Sequence, residues 1–394
     1  MTSQLDDDHL GRLLGHYRHL HQHPELSLAE HATCDYLTAR FAELGYDTQR
    51  VGRTGLVATL CRGPGATVAF RADMDALPVQ EETGVAWAAT DGAMHACGHD
   101  IHMTCALGAA ELLAAQADWS GTAEFILQPA EEIVAGARQM IADGLWELIP
   151  PAEIVFGQHV WPIAVGDIQL APGPFFSTVD TYRVEVRGRG GHGAMPETTV
   201  DTVVLTAAIV LRLQTVVARE IGLHERAVLT VGAMRAGSKE NIIPETGELL
   251  ISTRSYTERV RQRLADAIAR IARAEAAASG APEPVITPMY RANSVVNEPD
   301  ATARLLAEFR AGFGPDRVTV PTNPMTASED FGYLAAAIGV PAVFWVFGGY
   351  RPERLAGGEP VPTNHSDQFL PDPAGSIRTG VTAAITALRS RLAG

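Results

Sequence analysis

The stretch "MHACGHDIH", Met94 to His102, places three histidines and one cysteine within nine residues. Cys97 and His99 are separated by a single glycine, so in a loop both side chains can converge on one ion. Thiolate and imidazole groups are good ligands for zinc and its first-row neighbours. A buried cysteine beside unrelated loop histidines would give the same pattern. Taken alone, this stretch leaves a metal site and a structural role equally open.

Three further segments carry residues of the same type at the ends of predicted strands. Glu131 and Glu132 follow the strand "GTAEFILQ", His159 lies in "FGQHV", and His365 lies in "NHSD". Each has an ordinary explanation, since acids are favoured at helix N-termini and a lone histidine usually serves a core or a turn. However, open α/β sheets bind ligands at the carboxyl ends of their strands. The combination therefore predicts a metal site, with these ligands: Cys97, His99, Glu132, His159 and His365.

Five candidate ligands exceed the four that a tetrahedral ion uses, and a structural zinc site would take ligands close together in sequence. Here the ligands are spread from Cys97 to His365. We therefore predict two divalent ions a few ångströms apart that share a bridging ligand. Cys97, the softest donor, is the predicted bridge. Such a pair polarises a carbonyl and lowers the pKa of a bound water toward neutrality.

Four other residues are candidates for supporting roles. His192 lies between glycines in "GGHG" and could donate a hydrogen bond to a developing oxyanion, although a surface hairpin would give the same pattern. Asp75 in "RADMDALP" could orient a metal-bound histidine, or cap a loop. Asn241 and Arg254 are candidates for contact with a substrate carboxylate, with structural roles left open.

Composition restricts the class of protein. The 394 residues are 46% hydrophobic and 20% charged, which is typical of a globular chain of two or three domains. The net charge of −15 argues against a nucleic acid or an anionic membrane surface as partner. The four cysteines are too few for a disulfide framework, the N-terminal stretch "MTSQLDDDHLGR" lacks the apolar core of a secretory signal, and no apolar run approaches a membrane span. We expect a soluble cytoplasmic protein.

The elements that must position these residues read as an α/β fold. Two helices are predicted before Gly45, the second opened by a capping box formed by Ser27 and Glu30. Buried strands and helices then alternate, which predicts a mostly parallel central sheet flanked by helices. The predicted strands are 66–72, 121–128, 152–160 and 341–348, and helical stretches lie between them.

The middle of the chain has a different pattern. Between residues 181 and 290 the order is strand, helix, strand, strand, helix, strand, which is the ferredoxin-like α+β arrangement. We predict residues 180–291 to be an independent domain inserted into the α/β domain. The α/β domain is then formed by residues 1–179 and 292–394.

In combination, these motifs resemble the aminoacylase–carboxypeptidase metallopeptidase family, in particular its branch of hippurate hydrolases, auxin-conjugate hydrolases and N-acyl-amino-acid amidohydrolases. The resemblance extends from about His21 to Phe369 in the expected order. The segments that carry it are "HQHPELSLAE", "FRADMDALPVQEETG", "MHACGHDIHMT", "LQPAEE", "GQHV", "GGHGAMPETTVD", "NIIPETGE", "ASEDFGYL" and "NHSDQF".

The resemblance implies a dinuclear-metal catalytic domain and a small lid domain that also mediates dimerisation. It implies the same five ligands, with Glu131 as the general base that deprotonates the bridging water and then protonates the leaving amine. His192 corresponds to the lid histidine that reaches the active site of the partner subunit. The expected cofactors are two divalent ions per subunit, zinc or manganese first, with nickel or cobalt as alternatives. The expected assembly is a homodimer or higher homo-oligomer.

The predicted activity is hydrolysis of the amide bond of an N-acyl amino acid, such as an N-acetyl or N-benzoyl amino acid, to a carboxylate and a free amino acid. A metallo-dipeptidase or exopeptidase on the same scaffold is the first alternative. A metal-dependent binding protein without turnover is the second, and Glu131 argues against it because a binding protein has no use for a base.

Overall fold

A computed structural model describes residues 5–392 of the chain. The first four residues of the N-terminal stretch considered above for a secretory signal lie outside the described part. Within it, the α-helices are α1 (Asp7–Gln22), α2 (His31–Glu43), α3 (His99–Ala115), α4 (Gly136–Ala142), α5 (Leu145–Leu148), α6 (Thr202–Glu220), α7 (Glu258–Ala278), α8 (Pro299–Phe313), α9 (Gly332–Ile338), α10 (Pro352–Ala356) and α11 (Pro373–Arg389). Short 3-10 helices cover Pro196–Thr198 and Pro315–Arg317.

The strands of the same described part are β1 (Asp47–Val51), β2 (Gly55–Arg62), β3 (Thr67–Asp73), β4 (Gly121–Gln128), β5 (Ile154–Ala164), β6 (Ile168–Gln169), β7 (Gly173–Pro174), β8 (Thr178–Arg187), β9 (Gly191–His192), β10 (Ala227–Ala236), β11 (Ile242–Ile243), β12 (Thr246–Ser255), β13 (Val285–Ala292), β14 (Val296–Asn297), β15 (Val318–Thr319) and β16 (Ala342–Tyr350). The four strands predicted around the site correspond to β3, β4, β5 and β16. The hairpin formed by β1 and β2 has no counterpart among the strands predicted from the sequence.

Two compact units make up the chain. The larger takes in residues up to 175, 296–324 and the residues from 330 onward, and the smaller takes in 176–295 and 325–329. The smaller unit therefore encloses the segment 180–291 that the sequence predicts as an inserted domain.

The larger unit is built on an eight-stranded sheet in the order β1-β2-β4-β3-β5-β16-β6-β15. Its centre, β4-β3-β5-β16, is parallel throughout. Antiparallel neighbours flank that centre, β2 beside β4 and β6 beside β16. This arrangement confirms the predicted α/β class with a mostly parallel central sheet. The parallel order brings the carboxyl ends of four strands to one edge.

One face of this sheet carries the main hydrophobic core. Helices α3 and α11 pack on the sheet and on each other, and α1 packs on these two helices. The large side chains Phe70, Phe125, Phe156 and Trp345, one from each central strand, are buried in that core. Since α3 begins at His99, burial of this helix fixes the position of the "CGHD" segment relative to the strand ends.

The predicted capping box at Ser27 and Glu30 is wrong. Helix α2 begins at His31, and Glu30 precedes it without a side-chain capping bond. The Ser27 hydroxyl instead donates to the Asp75 carboxylate at 2.6 Å. The Glu30 carboxylate accepts from the backbone N–H of Leu28 and of Ala130. Each of the two side chains thus bonds to a distant segment, Ser27 to Asp75 and Glu30 to Ala130, and local sequence does not reveal these partners.

The smaller unit has a four-stranded antiparallel sheet in the order β10-β12-β8-β13. Helices α6 and α7 pack on each other and on this sheet, as the ferredoxin-like prediction requires. By length and hydropathy α6 would also be able to cross a membrane. In this fold, however, Leu205, Ile209, Leu213 and Val216 of α6 are buried in the core of the unit.

Candidate dinuclear metal centre

The predicted ligands lie at the carboxyl edge of the central sheet. Glu131 and Glu132 follow the end of β4, and His159 lies within β5. His365 comes from the loop after α10, and its backbone N–H donates to the carbonyl of Ala96 at 2.8 Å. That bond ties the loop to the segment immediately before Cys97.

Gly98 makes the turn that allows Cys97 and His99 to face the same point. Its φ is +85°, in the left-handed region that favours glycine. A Cβ at this position would lie 2.4 Å from Cγ1 of Val160, which is far inside van der Waals contact. The glycine that suggested a loop in the sequence is thus required both by backbone conformation and by space.

The ligand atoms fall into two groups that share Cys97. One group contains Cys97, His99 and His159, and the other contains Cys97, Glu132 and His365. The Cys97 Sγ lies 3.4 Å from Nε2 of His159 and 3.3 Å from Nε2 of His365. This membership of both groups is what a bridging thiolate requires.

The geometry fits cations. Metal–ligand bonds of about 2.0–2.3 Å at tetrahedral angles place neighbouring ligand atoms roughly 3.3–3.8 Å apart. Besides the two sulfur–nitrogen separations, Glu132 lies 3.4 Å from Nε2 of His365 and 3.8 Å from Nε2 of His99. Among the described residues, the buried Nε2 of His99 and Oε1 of Glu132 have no hydrogen-bond partner. Buried polar atoms without partners are unfavourable, so a ligand role accounts for both.

Hydrogen bonds at the opposite ring nitrogen direct two of the histidines. The Nδ1 of His99 lies 2.8 Å from the carbonyl oxygen of Asp75, and the Nδ1 of His159 lies 2.7 Å from that of Val160. A carbonyl only accepts, so each Nδ1 carries a proton and each Nε2 is the ring atom left to bind an ion. A second partner of this kind is the usual way in which proteins orient a metal-binding imidazole.

The electrostatics of the pocket also favour bound cations. Burial by itself lowers the pKa of His99, yet the carboxylates of Asp73, Asp75 and Glu132 raise it to about 10. Burial raises the pKa of Glu132 to about 7. Burial and the charges of the two glutamates hold the pKa of the Cys97 thiol well above its ordinary value. The ligand pocket thus concentrates negative charge, which a bound cation would stabilise.

The Asp75 side chain positions the two glutamates. Its Oδ1 accepts the backbone N–H of Glu131 and its Oδ2 accepts that of Glu132, both at 3.0 Å. Asp75 is therefore in contact with the predicted site, but it orients His99 through its backbone carbonyl rather than through its carboxylate alone. The sequence indicates only the carboxylate for this role.

The turn that carries the glutamates is strained. Ala130 and Val134 have φ of +52° and +54°, which is rare for a residue with a Cβ and rarer still for a β-branched one. The turn also closes on itself, because a Cβ at Gly136 would lie 1.5 Å from the carbonyl oxygen of Pro129. Such backbone persists only where surrounding bonds over-determine it.

A buried network that was not predicted from the sequence lies beside the ligands. Arg71 donates to Asp73 at 2.6 Å and to Asp330 at 3.2 Å, and all three side chains are fully buried. Asp73 also accepts from Nδ1 of His102 at 2.6 Å, while Nε2 of His102 accepts the N–H of Val160. A signal existed: Arg71 interrupts an otherwise apolar buried strand, and a buried cation needs a partner.

The remaining candidates belong to the smaller unit. His192 and Ile242 are paired on the two-stranded ladder of β9 and β11, and the carbonyl of Asn241 accepts the N–H of Gly193. His192 and Asn241 are therefore neighbours, and both are exposed. The Nη1 of Arg254 donates to the carbonyl of Thr326 at 2.8 Å and to further atoms of that segment. Arg254 thus has a structural role, and its predicted contact with substrate stays a prediction.

Comparison with known proteins adds independent findings. Residues 69–360 match the sequence model of peptidase family M20/M25/M40. The chain is 37% identical to N-acetylcysteine deacetylase of Bacillus subtilis, over 68% of this chain and 72% of that protein. It is 35% identical to hippurate hydrolase of Campylobacter jejuni, over 80% of this chain and 82% of that protein. The crystal structure of the B. subtilis YXEP protein, a dinuclear metal binding peptidase from the M20 family, superposes with a TM-score of 0.80 and 29% identity, over 97% and 99% of the two chains.

We expect metal binding to the metal-free protein to weaken as the pH falls. His99 holds a proton at neutral pH without metal, and the Cys97 thiol is also protonated, so an ion must displace both protons. Affinity for Zn²⁺, measured with a competing chromophoric chelator, should fall by at least about tenfold between pH 8 and pH 6 after correction for the chelator. A corrected affinity that does not change with pH would contradict this ligand set.

Glu132→Gln should weaken binding at every pH.

Proposed function

The chain belongs to peptidase family M20/M25/M40, and from this premise we propose that it hydrolyses the amide bond of N-acyl amino acids with two divalent metal ions. Membership of this family makes it a hydrolase of amide carbon–nitrogen bonds. The acyl-amino-acid substrate is supported by two relatives, which are named as a deacetylase of N-acetylcysteine and a hydrolase of hippurate, an N-benzoyl amino acid.

One observation carries the proposal. A second carboxylate, Glu131, lies beside the ligand cluster. A ring nitrogen of His99, a carboxylate oxygen of Glu131 and a carboxylate oxygen of Glu132 all lie within 4.8 Å of one another. Glu132 also belongs to the group with Cys97 and His365, whereas Glu131 belongs to neither cysteine group. This difference supports Glu132 as a ligand and Glu131 as the base. A pure binding site would not need the extra carboxylate.

Each side chain of the site has a separate role in hydrolysis. When bound, the two cations polarise the substrate carbonyl and acidify water. Glu131 accepts the proton of the attacking water and then delivers it to the leaving nitrogen, which therefore departs as a neutral amine. Asp75 holds the backbone of both glutamates and so fixes the direction of Glu131. Asp75 is a positioning residue in this scheme.

His192 is the proposed hydrogen-bond donor to the developing oxyanion. Its Nδ1 accepts the N–H of Ala194 at 3.0 Å, so the proton of the neutral imidazole lies on Nε2. The ring is exposed, which leaves this N–H able to meet a substrate. Asn241 and Arg254 are the proposed contacts for the carboxylate of the amino acid.

We further propose that the chain forms a homodimer through its smaller unit. Helix α6 exposes Val204 and Leu211, seven residues apart and hence on one face, at 63% and 72%. Strand β10, on which α6 packs, lies at the edge of its sheet and also exposes Val228 and Met234. Edge strands and apolar faces of this kind are typical sites of association with a second copy. In such a dimer His192 would act in the site of the partner subunit.

The identity of the metal and the cellular location are also proposals. A site of thiolate, imidazole and carboxylate suits zinc or manganese, with nickel or cobalt as alternatives. The acidic composition supports a cytoplasmic location.

A substrate panel tests the proposal. We expect N-acetyl and N-benzoyl amino acids to be hydrolysed faster than free dipeptides, and dialysis against a chelator to abolish the activity until metal is restored. Release of free amino acid is the measurement. Preference for dipeptides would favour the exopeptidase alternative, and no turnover of any member of the panel would favour a binding protein.

Replacing the base should separate chemistry from metal binding. Glu131→Ala is expected to lower kcat by at least about 10³-fold, because no other group is assigned to take the proton. Its metal content, measured by mass spectrometry of the purified protein, should stay at the wild-type level. Loss of metal in this variant would mean that the roles of Glu131 and Glu132 are reversed.

Mixing two inactive variants tests the role of His192. His192→Ala and Glu131→Ala proteins should each be inactive, and mixed dimers should regain part of the activity, because one site then has both intact residues. The measurement is activity after subunit exchange, with mixed dimers verified by distinct affinity tags. Verified mixed dimers without activity would contradict action across the dimer.

A further inference from the structure

A single buried carboxylate connects two distant turns at the candidate site. Glu30 is completely buried, and its Oε1 accepts the backbone N–H of Leu28 at 3.0 Å and that of Ala130 at 2.8 Å. These two amides are separated by about a hundred residues of chain. Because one oxygen accepts both, the carboxylate fixes the distance between the two turns.

Both of the amides belong to strained residues. Leu28 has φ of +67° and Ala130 has φ of +52°, and neither is a glycine. Conformations of this kind are unfavourable by roughly 1–3 kcal/mol each and persist only where other bonds hold them. A charged acceptor inside the protein makes a stronger hydrogen bond than a neutral one. Glu30 is thus suited to holding both turns in conformations that their sequences do not favour.

Each turn leads directly to the residues of the site. Ala130 immediately precedes Glu131. On the other side, Ser27 precedes Leu28 and donates to Oδ2 of Asp75, which itself accepts the N–H of Glu132. Glu30 therefore acts on the glutamate pair by two routes, once through the backbone of Ala130 and once through Ser27 and Asp75.

We propose that Glu30 is a positioning residue that sets the direction of the Glu131 carboxylate by holding the turns at Leu28 and Ala130. The inference rests on the proposed function for its kinetic consequence, but not for its structural one. Glu30 makes no hydrogen bond to a ligand side chain among the described residues, and in its absence Asp75 can still accept the N–H of Glu132, so the metal ligands should stay in place. A base displaced by about 1 Å is enough to lower a rate by about two orders of magnitude.

Three substitutions separate this role from a general contribution to folding. Glu30→Ala removes the acceptor and should lower kcat by about 10- to 100-fold, with KM changed by less than about twofold and metal content unchanged. Glu30→Gln keeps a carbonyl oxygen that can accept both amides and should recover most of kcat. Glu30→Asp keeps the charge but is one methylene shorter, so it cannot reach both amides and should resemble Glu30→Ala. Glu30→Asp is also the smaller change, so it serves as the test variant if the Glu30→Ala protein does not fold.

Glu124 provides the matched control. It is a second fully buried glutamate of the same unit, on the strand that leads to the same turn, and its two oxygens have no hydrogen-bond partner among the described residues. Glu124→Ala removes the same atoms from a buried position. The Glu124→Ala protein should therefore have the wild-type kcat per metal-loaded site, although its midpoint temperature of thermal unfolding should change.

Hydrogen–deuterium exchange gives a readout that does not depend on activity. Peptides that cover residues 129–136 should exchange at least about tenfold faster in Glu30→Ala than in wild type or Glu30→Gln, and at the wild-type rate in Glu124→Ala. Unchanged exchange in this turn, or unchanged kcat in a folded Glu30→Ala or Glu30→Asp protein, would overturn the proposal. An inactive wild type would count against the proposed function alone, since the exchange experiment still decides the role of Glu30.

Discussion

The structure of the candidate site depends on how one short turn satisfies its backbone hydrogen bonds. The N–H groups of residues 130, 131, 132 and 137 are all buried or half-buried, and each donates to a carboxylate from a distant segment. Glu30, Asp75 and Asp330 supply these carboxylates. An unpaired buried N–H is unfavourable by about 1–3 kcal/mol, and a buried carboxylate without donors by more. The turn and the three acids therefore require one another.

This mutual requirement concentrates negative charge around the glutamate pair, and two devices offset it. The first is Arg71, whose buried guanidinium pairs with Asp73 and Asp330 and offsets one of their two negative charges. The second is the ligand cluster itself, where protonated His99 or a bound cation supplies positive charge. The same acids that shape the turn thus favour metal binding. Folding of the site and affinity for cations are coupled by electrostatics.

Much of the architecture could be predicted from periodicity. The buried runs at β3, β4, β5 and β16 and the alternating strands of the smaller unit are long, regular patterns, and they were placed to within a few residues. The spacing of Cys97 and His99 around a glycine likewise indicated a loop that the positive φ of Gly98 requires. These features depend on residues close together in the chain.

The sequence by itself determined which residue types follow the strands. These residues are of metal-ligand type and together indicate a metal site formed by Cys97, His99, Glu132, His159 and His365. Only the tertiary structure decided how Glu30, Ser27 and Asp330 are used. A carboxylate or hydroxyl beside a helix start can cap that helix or bond to any amide that folding brings near it, and local sequence is the same in both cases. The choice is made by burial, because the strained turn offers N–H groups that water cannot reach.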